Sequence, residues 1–361
     1  MVECTGLENR HTRKRIVGSN PTPSANTTSD PCGRFFVAGL LAAFLALGGL
    51  APSRAADAGE QAERDAFAAA IAQKHGLDAG QLRQTLRQAK VQPGILRAIA
   101  QPSTARPWYL YRPAVVDTRR IAAGTRFWQE HAATLERASA AYGVPPELIV
   151  ATLGVETFYG RNTGGYRVLD ALVTLAFHYP PRAELFRAEL EAFLLLTVEQ
   201  GLDPLNIRGS FAGAMGIAQF LPSSYRQYAV DFSGDGRRDL WQAADAIGSV
   251  ANYYRAFGWV TDGPVAAAAA VEGTEFRALL GLGVKPQITI ARLRALGVTP
   301  DLPAADEALV TLVEIETESG PGYVAGFENF YVITRYNRSV NYALSVHELA
   351  RELKRQRAAG R

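Results

Sequence analysis

The chain has 361 residues, of which 48% are hydrophobic, so it can bury a full core and does not belong to the disordered class. Residues 1–55 hold six of the 38 Lys and Arg residues and three of the 35 Asp and Glu residues, so the remaining chain has 32 of each. This formal neutrality gives no support to a nucleic-acid partner or to an anionic membrane surface as a ligand.

The N-terminal segment has the pattern of a secretory signal peptide. Basic residues precede an apolar run over 35–50, and small residues follow it as far as Ala55, which predicts export and cleavage after Ala55. An uncleaved membrane anchor is the alternative, although the run contains three glycines and is shorter than the ~20 residues of a spanning helix. Cys4 and Cys32 both precede the cleavage site, so we expect a soluble mature protein with neither a disulfide nor a lipid anchor.

Most of the mature chain has helical periodicity. Apolar residues at helical spacing over 57–100 predict short amphipathic helices, and a longer helix is predicted over 117–142. Pro145-Pro146-Glu147 then places proline and an acid in the first turn of a helix predicted over 147–159. A further, strongly apolar helix is predicted over 183–200.

Strand patterns occur only late in the sequence. Residues 309–317 and 323–334 are rich in β-branched and aromatic residues and flank a Gly-Pro-Gly turn. The glycine-rich stretch 209–222 does not follow a predicted strand, which argues against a dinucleotide-binding loop and favours tight helix packing or approach to a ligand. These elements predict a mainly α protein of the α+β class with a small β element.

Glu156 lies on an apolar face of the predicted helix 147–159, three residues after Leu153 and seven after Ile149. An ionised carboxylate is costly to bury, so such a group is neutral, paired or functional. Two interpretations remain open from the helix alone. Glu156 is either a general acid in a cleft, with its pKa raised by desolvation, or a structural partner of Arg161 or Arg167.

Five sequence runs, in one order, distinguish these interpretations: Gly154–Arg161, Gly209–Tyr225, Asp231–Gly236, Ala246–Tyr254 and Asn329–Ser339. Together they closely resemble lytic murein transglycosylase B, of glycoside hydrolase family 103, and the resemblance covers roughly residues 105–350. It implies a lysozyme-like core with a helical lobe and a small β lobe, and acid/base chemistry by Glu156.

The N-terminal pattern and the resemblance together predict a division of the chain into segments. We expect a leader over 1–55, a helical lobe over 56–142, a catalytic core with an Asp-rich calcium loop over 143–264, a small α/β lobe over 265–328, and a C-terminal segment over 329–361 that returns to the core.

The family's reaction is the lytic cleavage of peptidoglycan between N-acetylmuramic acid and N-acetylglucosamine. Glu156 would protonate the bridging oxygen and then take the proton of the C6 hydroxyl, which leaves a 1,6-anhydro sugar. Retaining and inverting glycosidases need a second carboxylate, and the motifs contain no strong candidate. Asp170 and Glu184 are the two other acids considered, but neither lies in one of the five matching runs. A hydrolytic muramidase and a noncatalytic peptidoglycan-binding module are the alternatives.

The resemblance places further side chains in the sugar cleft. These expected substrate-binding residues are Tyr111, Arg182, Ser210, Gln219, Tyr253, Tyr336, Asn337 and Tyr342. Arg182 could meet a peptide or lactyl carboxylate through two hydrogen bonds. Pro181 stands before it, where a basic residue was expected.

The run from Asp231 to Arg237 follows the order of an EF-hand calcium loop. Asp231, Ser233 and Asp235 offer oxygens at positions one, three and five, glycine stands at six, and Arg237 offers its backbone carbonyl at seven. Position twelve is a glutamine rather than the usual Glu; the resembling family closes a lengthened loop with an Asp, which here is Asp245. A structural Ca²⁺ site is therefore predicted, and a metal-free Asp/Gly turn is the alternative.

These observations define the expected setting of the protein. We expect a periplasmic monomer whose partners are peptidoglycan glycan strands and other cell-wall enzymes, with no nucleic acid. No cofactor is expected to be needed for catalysis.

Overall fold

Helices dominate the residues that the computed structural model describes, which are 54–100 and 106–359. In chain order the helices are α1 (Arg54–His75), α2 (Ala79–Arg87), α3 (Pro93–Ile99), α4 (Trp108–Val115), α5 (Thr118–Glu130), α6 (Ala132–Tyr142), α7 (Pro146–Thr157), α8 (Val168–His178), α9 (Ala183–Gln200), α10 (Pro222–Tyr228), α11 (Ala243–Ala256), α12 (Ile290–Ala295), α13 (Glu328–Tyr336) and α14 (Val340–Ala359). The apolar run of the predicted signal peptide and both cysteines lie outside the described residues.

The strands form one small pair and one antiparallel sheet. They are β1 (Tyr166–Arg167), β2 (Arg208–Gly209), β3 (Ala266–Val271), β4 (Ile288–Thr289), β5 (Val298–Pro300), β6 (Leu309–Thr317) and β7 (Gly320–Gly326). β1 pairs with β2, and the other five have the spatial order β4-β6-β7-β3-β5. The prediction of a mainly helical protein with a small β lobe is confirmed.

Two local predictions were wrong. The helix predicted over 117–142 is broken at His131, whose backbone leaves the helical region (φ −114°) while its ring packs 4.5 Å from that of Phe127. The strand predicted over 323–334 ends at Gly326, and residues 328–334 belong to α13. There Phe330, Val332 and Ile333 are fully buried against the helical core, so tertiary packing overrides their preference for strand.

The helical core surrounds α7. Residues Leu148–Gly154 are all buried. This burial on every side agrees with the sequence of the helix, which is apolar all round rather than amphipathic. Its first turn is tied to α14 by an ion pair between Glu147 and Lys354, with Nζ 2.9 Å from Oε1. A second, smaller apolar cluster fills the β lobe between the sheet and α12.

Asp170 joins the N-terminal helices to this core. It is buried, and its carboxylate accepts hydrogen bonds from Arg167 Nε (2.9 Å), from the backbone N–H of Lys90 (2.9 Å) and from Gln92 Nε2 (3.4 Å). Buried carboxylates persist when they are paired in this way. Asp170 therefore has a structural role and is not a second acid of the cleft.

In the described residues no single helix is long and apolar enough to cross a membrane. α6 and α7 pass the length and composition test only as a pair bent by 112°.

Candidate active site

Glu156 occupies the last turn of α7, where the buried helix reaches the edge of a cleft. The phenol of Tyr342, on α14, donates a hydrogen bond to Glu156 Oε1 with an O···O distance of 2.5 Å. Burial raises the pKa of Glu156 to about 7, although the Tyr342 hydrogen bond lowers it in part. A carboxyl group poised near neutrality can both donate and accept a proton at physiological pH.

Tyrosines from several helices surround Glu156, and their hydroxyls are already engaged. Tyr253 donates to the carbonyl of Arg335 at 2.7 Å, and Tyr336 donates to the carbonyl of Ala218 at 2.5 Å. Burial, and then the charge of Glu156, raises the pKa of Tyr336 and of Tyr342 well above the ordinary range. These phenols are therefore neutral at physiological pH, so no charge among them competes with Glu156.

The chain turns left-handed directly after this helix. Phe158, Tyr159 and Gly160 have φ values of 52°, 61° and 88°. For a residue with a Cβ this conformation costs about 1–2 kcal/mol, so two aromatic residues here store strain next to Glu156. Thr157 connects the turn to the glycine-rich stretch 209–222, because its hydroxyl donates to Ile217 O and accepts from Gly160 N, each at 2.9 Å.

The cleft beside Glu156 has a volume of about 1060 Å³. It is lined by seven of the residues predicted from sequence: Glu156, Arg182, Ser210, Gln219, Tyr253, Tyr336 and Asn337. Tyr342 lies behind the cleft wall and reaches Glu156 through its hydroxyl. Tyr111 is buried beside Trp108, with ring centroids 6.5 Å apart, and is not part of the cleft lining.

Two of the polar lining residues shape the loop that carries them. Ser210 Oγ accepts hydrogen bonds from the backbone N–H groups of Ala212 (3.3 Å) and Ala214 (3.1 Å). Gln219 has a left-handed backbone (φ 50°), and its Nε2 donates to the carbonyls of Thr163 (3.1 Å) and Gly216 (2.9 Å). These two donated bonds fix the orientation of the Gln219 side-chain amide.

Glycines allow this loop to close tightly. A Cβ at Gly209 would lie 2.2 Å from the carbonyl oxygen of Ala214, which is far inside contact distance. At this position the glycine-rich stretch allows close packing of its own backbone beside the cleft.

Among the residues that the structure describes, Glu156 is the only carboxylate lining the cleft. Of the two other acids considered from sequence, Asp170 is engaged by Arg167 and Gln92. Glu184 is exposed and does not line the cleft. A mechanism that needs two facing carboxylates would therefore find only one, Glu156, in the described lining of this cleft.

Sequence reasoning missed several lining residues: Ala98, Ile99, Ala100, Tyr179, Leu185, Phe186, Phe211, Ser224 and Arg335. Phe211 follows Ser210 directly and Arg335 precedes Tyr336, so proximity to the motifs could have indicated both. The end of α3 offered no such signal, because it is far from every motif in sequence.

The Asp-rich loop forms a second cluster of oxygens. One carboxylate oxygen from each of Asp231, Asp235 and Asp245 lies within 4.8 Å of the others. Asp245 is fully buried in the first turn of α11 and accepts three backbone N–H groups, from Phe232 (2.9 Å), Ser233 (2.8 Å) and Asp239 (2.7 Å). An all-oxygen set with three carboxylates fits a hard cation such as Ca²⁺.

The remaining predicted ligands surround this cluster. The Ser233 hydroxyl donates to Asp231 Oδ1 at 3.2 Å, and the backbone N–H of Arg237 donates to Asp235 Oδ1 at 2.9 Å. Gln242, at position twelve, donates its Nε2 to Asp235 Oδ2 at 3.0 Å. The Gln242 amide therefore donates to one of the predicted ligand carboxylates; whether Asp245 closes the loop in its place stays a prediction.

Comparison with known proteins identifies transglycosylases as the relatives of this chain. Residues 59–351 match the profile of the transglycosylase SLT domain. The chain is 46% identical over 286 residues to membrane-bound lytic murein transglycosylase B of Escherichia coli K12, and the alignment covers 76% of this chain and 78% of the relative.

Two solved structures share the architecture. Catenated lytic transglycosylase SltB1 of Pseudomonas aeruginosa is 46% identical, with a TM-score of 0.78 over 82% of this chain and 98% of that chain. Lytic transglycosylase Slt35 of Escherichia coli, solved in complex with calcium, is 44% identical, with a TM-score of 0.75 over 83% of this chain and 94% of that chain.

Proposed function

Because this chain belongs to the transglycosylase SLT domain family and is a lytic murein transglycosylase, we propose that Glu156 is its single catalytic acid and base. One observation supports this assignment above the others: Glu156 alone among the described cleft residues is a carboxylate, and its pKa is raised to about 7. The likeness to lytic transglycosylases does not favour a hydrolytic muramidase or a noncatalytic binding module.

Glu156 acts twice in the proposed reaction. Its carboxylic acid donates a proton to the oxygen between N-acetylmuramic acid and N-acetylglucosamine, and the bond from that oxygen to the muramic C1 breaks. The C6 hydroxyl of the same muramic sugar then attacks C1 and returns its proton to the Glu156 carboxylate. No water is consumed, so one carboxylate suffices where hydrolysis by a retaining or inverting route needs two.

The mass of the product tests this function. Purified sacculi digested with the wild-type protein should release fragments with 1,6-anhydromuramic ends, which are one water lighter than hydrolysed fragments. Reducing-end sugars as the main product would show that the same cleft performs hydrolysis. No soluble fragment at all would favour a binding module.

The other predicted cleft residues are proposed to hold the glycan. Tyr253 and Tyr336 present ring surface rather than hydroxyls, because their hydroxyls bond to backbone carbonyls; sugar faces pack on such rings. Asn337 and Gln219 offer amides to the N-acetyl groups. Arg182 offers a guanidinium to a carboxylate of the substrate.

The remaining predicted substrate residues act indirectly in this proposal. Ser210 holds the loop through bonds to Ala212 and Ala214. Tyr342 acts on Glu156, and Tyr111 supports it from the core, where its pKa is raised by burial and then by the charge of Glu156.

The pKa of Glu156 gives a prediction for Tyr342→Phe. Activity requires protonated Glu156, so wild-type kcat/KM should decline as the pH rises through about 7. Removing the phenol takes away a hydrogen bond that favours the ionised carboxylate. Hydrogen bonds to charged groups contribute ~1.5–3 kcal/mol, so the alkaline limb should move up by roughly one pH unit or more.

Rates of fragment release from sacculi between pH 5 and 9 would measure that shift. Tyr109→Phe is the matched control, because Tyr109 lies outside the cleft and its removal should leave the profile unchanged. An unmoved alkaline limb in Tyr342→Phe would contradict the proposed coupling between the two side chains.

We also propose that the Asp-rich loop binds Ca²⁺ as a structural ion. The carboxylates of Asp231, Asp235 and Asp245 would supply oxygens, and the Ser233 hydroxyl and the Arg237 carbonyl would complete the set. This proposal is supported by the calcium complex of Slt35. The loop lies outside the cleft lining, so an ion there stabilises the fold and takes no part in the reaction.

Export completes the proposal. A relative named as a membrane-bound murein enzyme indicates work at the cell wall, and the N-terminal pattern predicts cleavage after Ala55 and a soluble periplasmic product. Mass spectrometry of the periplasmic fraction should then find a chain that begins at Ala56, the third residue of α1. An intact N-terminus recovered with the membranes would support the anchor instead.

A further inference from the structure

The left-handed turn after Glu156 has no part in the mechanism described so far. Phe158 and Tyr159 keep φ values of 52° and 61° although both carry bulky side chains. Residues in this region persist only when their surroundings hold them there. The contacts that hold this turn therefore identify what fixes the end of α7.

Arg120, on α5, makes the first set of these contacts. Its Nε donates to the carbonyl of Gly154, two residues before Glu156, at 3.1 Å. Its Nη1 donates to the carbonyls of Val115 and Ala114 and pairs with Asp117. Its guanidinium also lies 5.2 Å from the centroid of the Phe158 ring, so one side chain holds both ends of the segment that contains Glu156.

Tyr159 makes the second set. Its ring occupies a notch between α5 and α7 that exists because Gly124 and Gly154 lack a side chain; a Cβ at either would lie within 2.5 Å of the Tyr159 hydroxyl oxygen. The ring stacks on Phe127 with centroids 5.4 Å apart. Its hydroxyl donates to the backbone carbonyl of Arg120 at 3.1 Å, which closes a loop of contacts from Arg120 to the turn and back.

We propose that Arg120 and Tyr159 are positioning residues of the lytic reaction, which lock the turn over 158–160 so that the Glu156 carboxyl stays in place at the cleft. The inference rests on the proposed role of Glu156. Neither residue lines the cleft, so neither acts by touching the glycan, and their effect reaches the substrate only through Glu156.

The locked turn also keeps Glu156 desolvated. Among the described residues, the titratable groups whose charge interacts with Glu156 from other elements are tyrosines: Tyr111 on α4, Tyr253 and Tyr254 on α11, Tyr336 on α13 and Tyr342 on α14. The cationic side chains that line the same cleft are Arg182 and Arg335. A loosened turn would admit water from the cleft side, and the pKa of Glu156 would then fall toward its ordinary value. This shift is opposite in direction to the one expected for Tyr342→Phe.

Two variants test the proposal on the full mature chain. Arg120→Lys keeps the positive charge but loses the fixed guanidinium geometry that bonds Gly154. Tyr159→Phe keeps the ring in its notch and removes only the bond to Arg120. In each, kcat on sacculi should fall by roughly 10- to 100-fold, the order expected for a small misplacement of a catalytic group. KM should stay within roughly twofold, and the alkaline limb should move to lower pH.

Controls separate this inference from the proposed function. Arg119→Lys changes an exposed neighbour on α5 and should behave as wild type. Glu156→Gln, assayed in parallel, must be inactive, since an active Gln variant would refute the role of Glu156 itself. With Glu156→Gln inactive, wild-type kcat and pH profile in Tyr159→Phe would overturn the positioning role even if the melting temperature falls. If Arg120→Lys does not fold, Tyr159→Phe decides the question.

Discussion

Replacing Glu156 with Gln should lower turnover on peptidoglycan by ~10²–10⁴, the usual contribution of general acid/base catalysis. Gln has nearly the shape of Glu and can still accept the hydrogen bond from Tyr342, but it can neither give nor take the proton. Because Glu156 is the only carboxylate among the described cleft residues, no neighbour is placed to replace it. Binding of glycan fragments should survive, since the aromatic walls are untouched.

Release of anhydro fragments from sacculi, together with fragment binding by calorimetry, would measure both effects. The matched control is Glu184→Gln, which neutralises an exposed acid outside the cleft lining and should retain full activity. Full activity in Glu156→Gln would show that a different residue moves the proton.

Thermal stability provides a check that the Glu156→Gln protein is folded. The folded-state pKa of about 7 lies above the ordinary value of 4.5, so the folded protein holds this proton more tightly and its free energy of unfolding falls as the pH rises across that interval. The neutral amide avoids this loss. At pH 8 the free energy of unfolding of Glu156→Gln should exceed that of wild type by up to ~3 kcal/mol, and the difference should vanish at pH 4.

Sequence periodicity was sufficient to place Glu156 on a buried helix, because the relevant neighbours lie within two turns along the chain. It could not supply Tyr342, which is 186 residues away, since helical spacing contains no information about which helices pack together. The raised pKa of Glu156 depends on that packing. The resemblance to a known family carried this long-range information, while the residues alone left the role of Glu156 open.

The β lobe shows a different limit. β3 consists of five alanines and a valine over Ala266–Val271, and alanine has little preference for strand. Its pairing with β5 and β7 comes from its neighbours in the sheet. Residues 328–334 show the reverse case, in which β-branched and aromatic residues become a helix because its buried face meets the helical core.

Some side chains have the predicted location and a structural role there as well. Ser210 was expected to meet the sugar; it lines the cleft, and its hydroxyl oxygen also accepts two backbone N–H groups of its own loop. A side-chain hydroxyl commonly accepts hydrogen bonds from backbone N–H groups that a tight loop would otherwise leave without partners. A motif therefore identifies which residues meet at a site more reliably than which atoms remain free there. The domain boundaries drawn from the resemblance stay predictions.

Replacing Asp245 with Ala should destabilise the protein strongly even without metal. The change removes a buried acceptor from the N–H groups of Phe232, Ser233 and Asp239. Each of these part-buried donors costs up to ~1–3 kcal/mol when it is left unsatisfied, so the free energy of unfolding should fall by ~3 kcal/mol, and the melting temperature by roughly 5–10 °C.

Replacing Asp235 with Ala should have the complementary effect. Asp235 is exposed and bonds only within its loop, to Arg237 and Gln242, so in excess chelator its loss should change the melting temperature little. Added Ca²⁺ should raise the melting temperature of wild type by an amount that grows with free metal above the dissociation constant, and Asp235→Ala should abolish that rise.

Asp203→Ala removes another exposed aspartate that bonds within its own loop and should keep the full calcium response. Differential scanning calorimetry with Ca²⁺ and with chelator separates the two aspartates: a wild-type melting temperature that ignores both conditions would defeat the metal site, while an Asp245→Ala protein as stable as wild type in chelator would defeat the buried-acceptor argument.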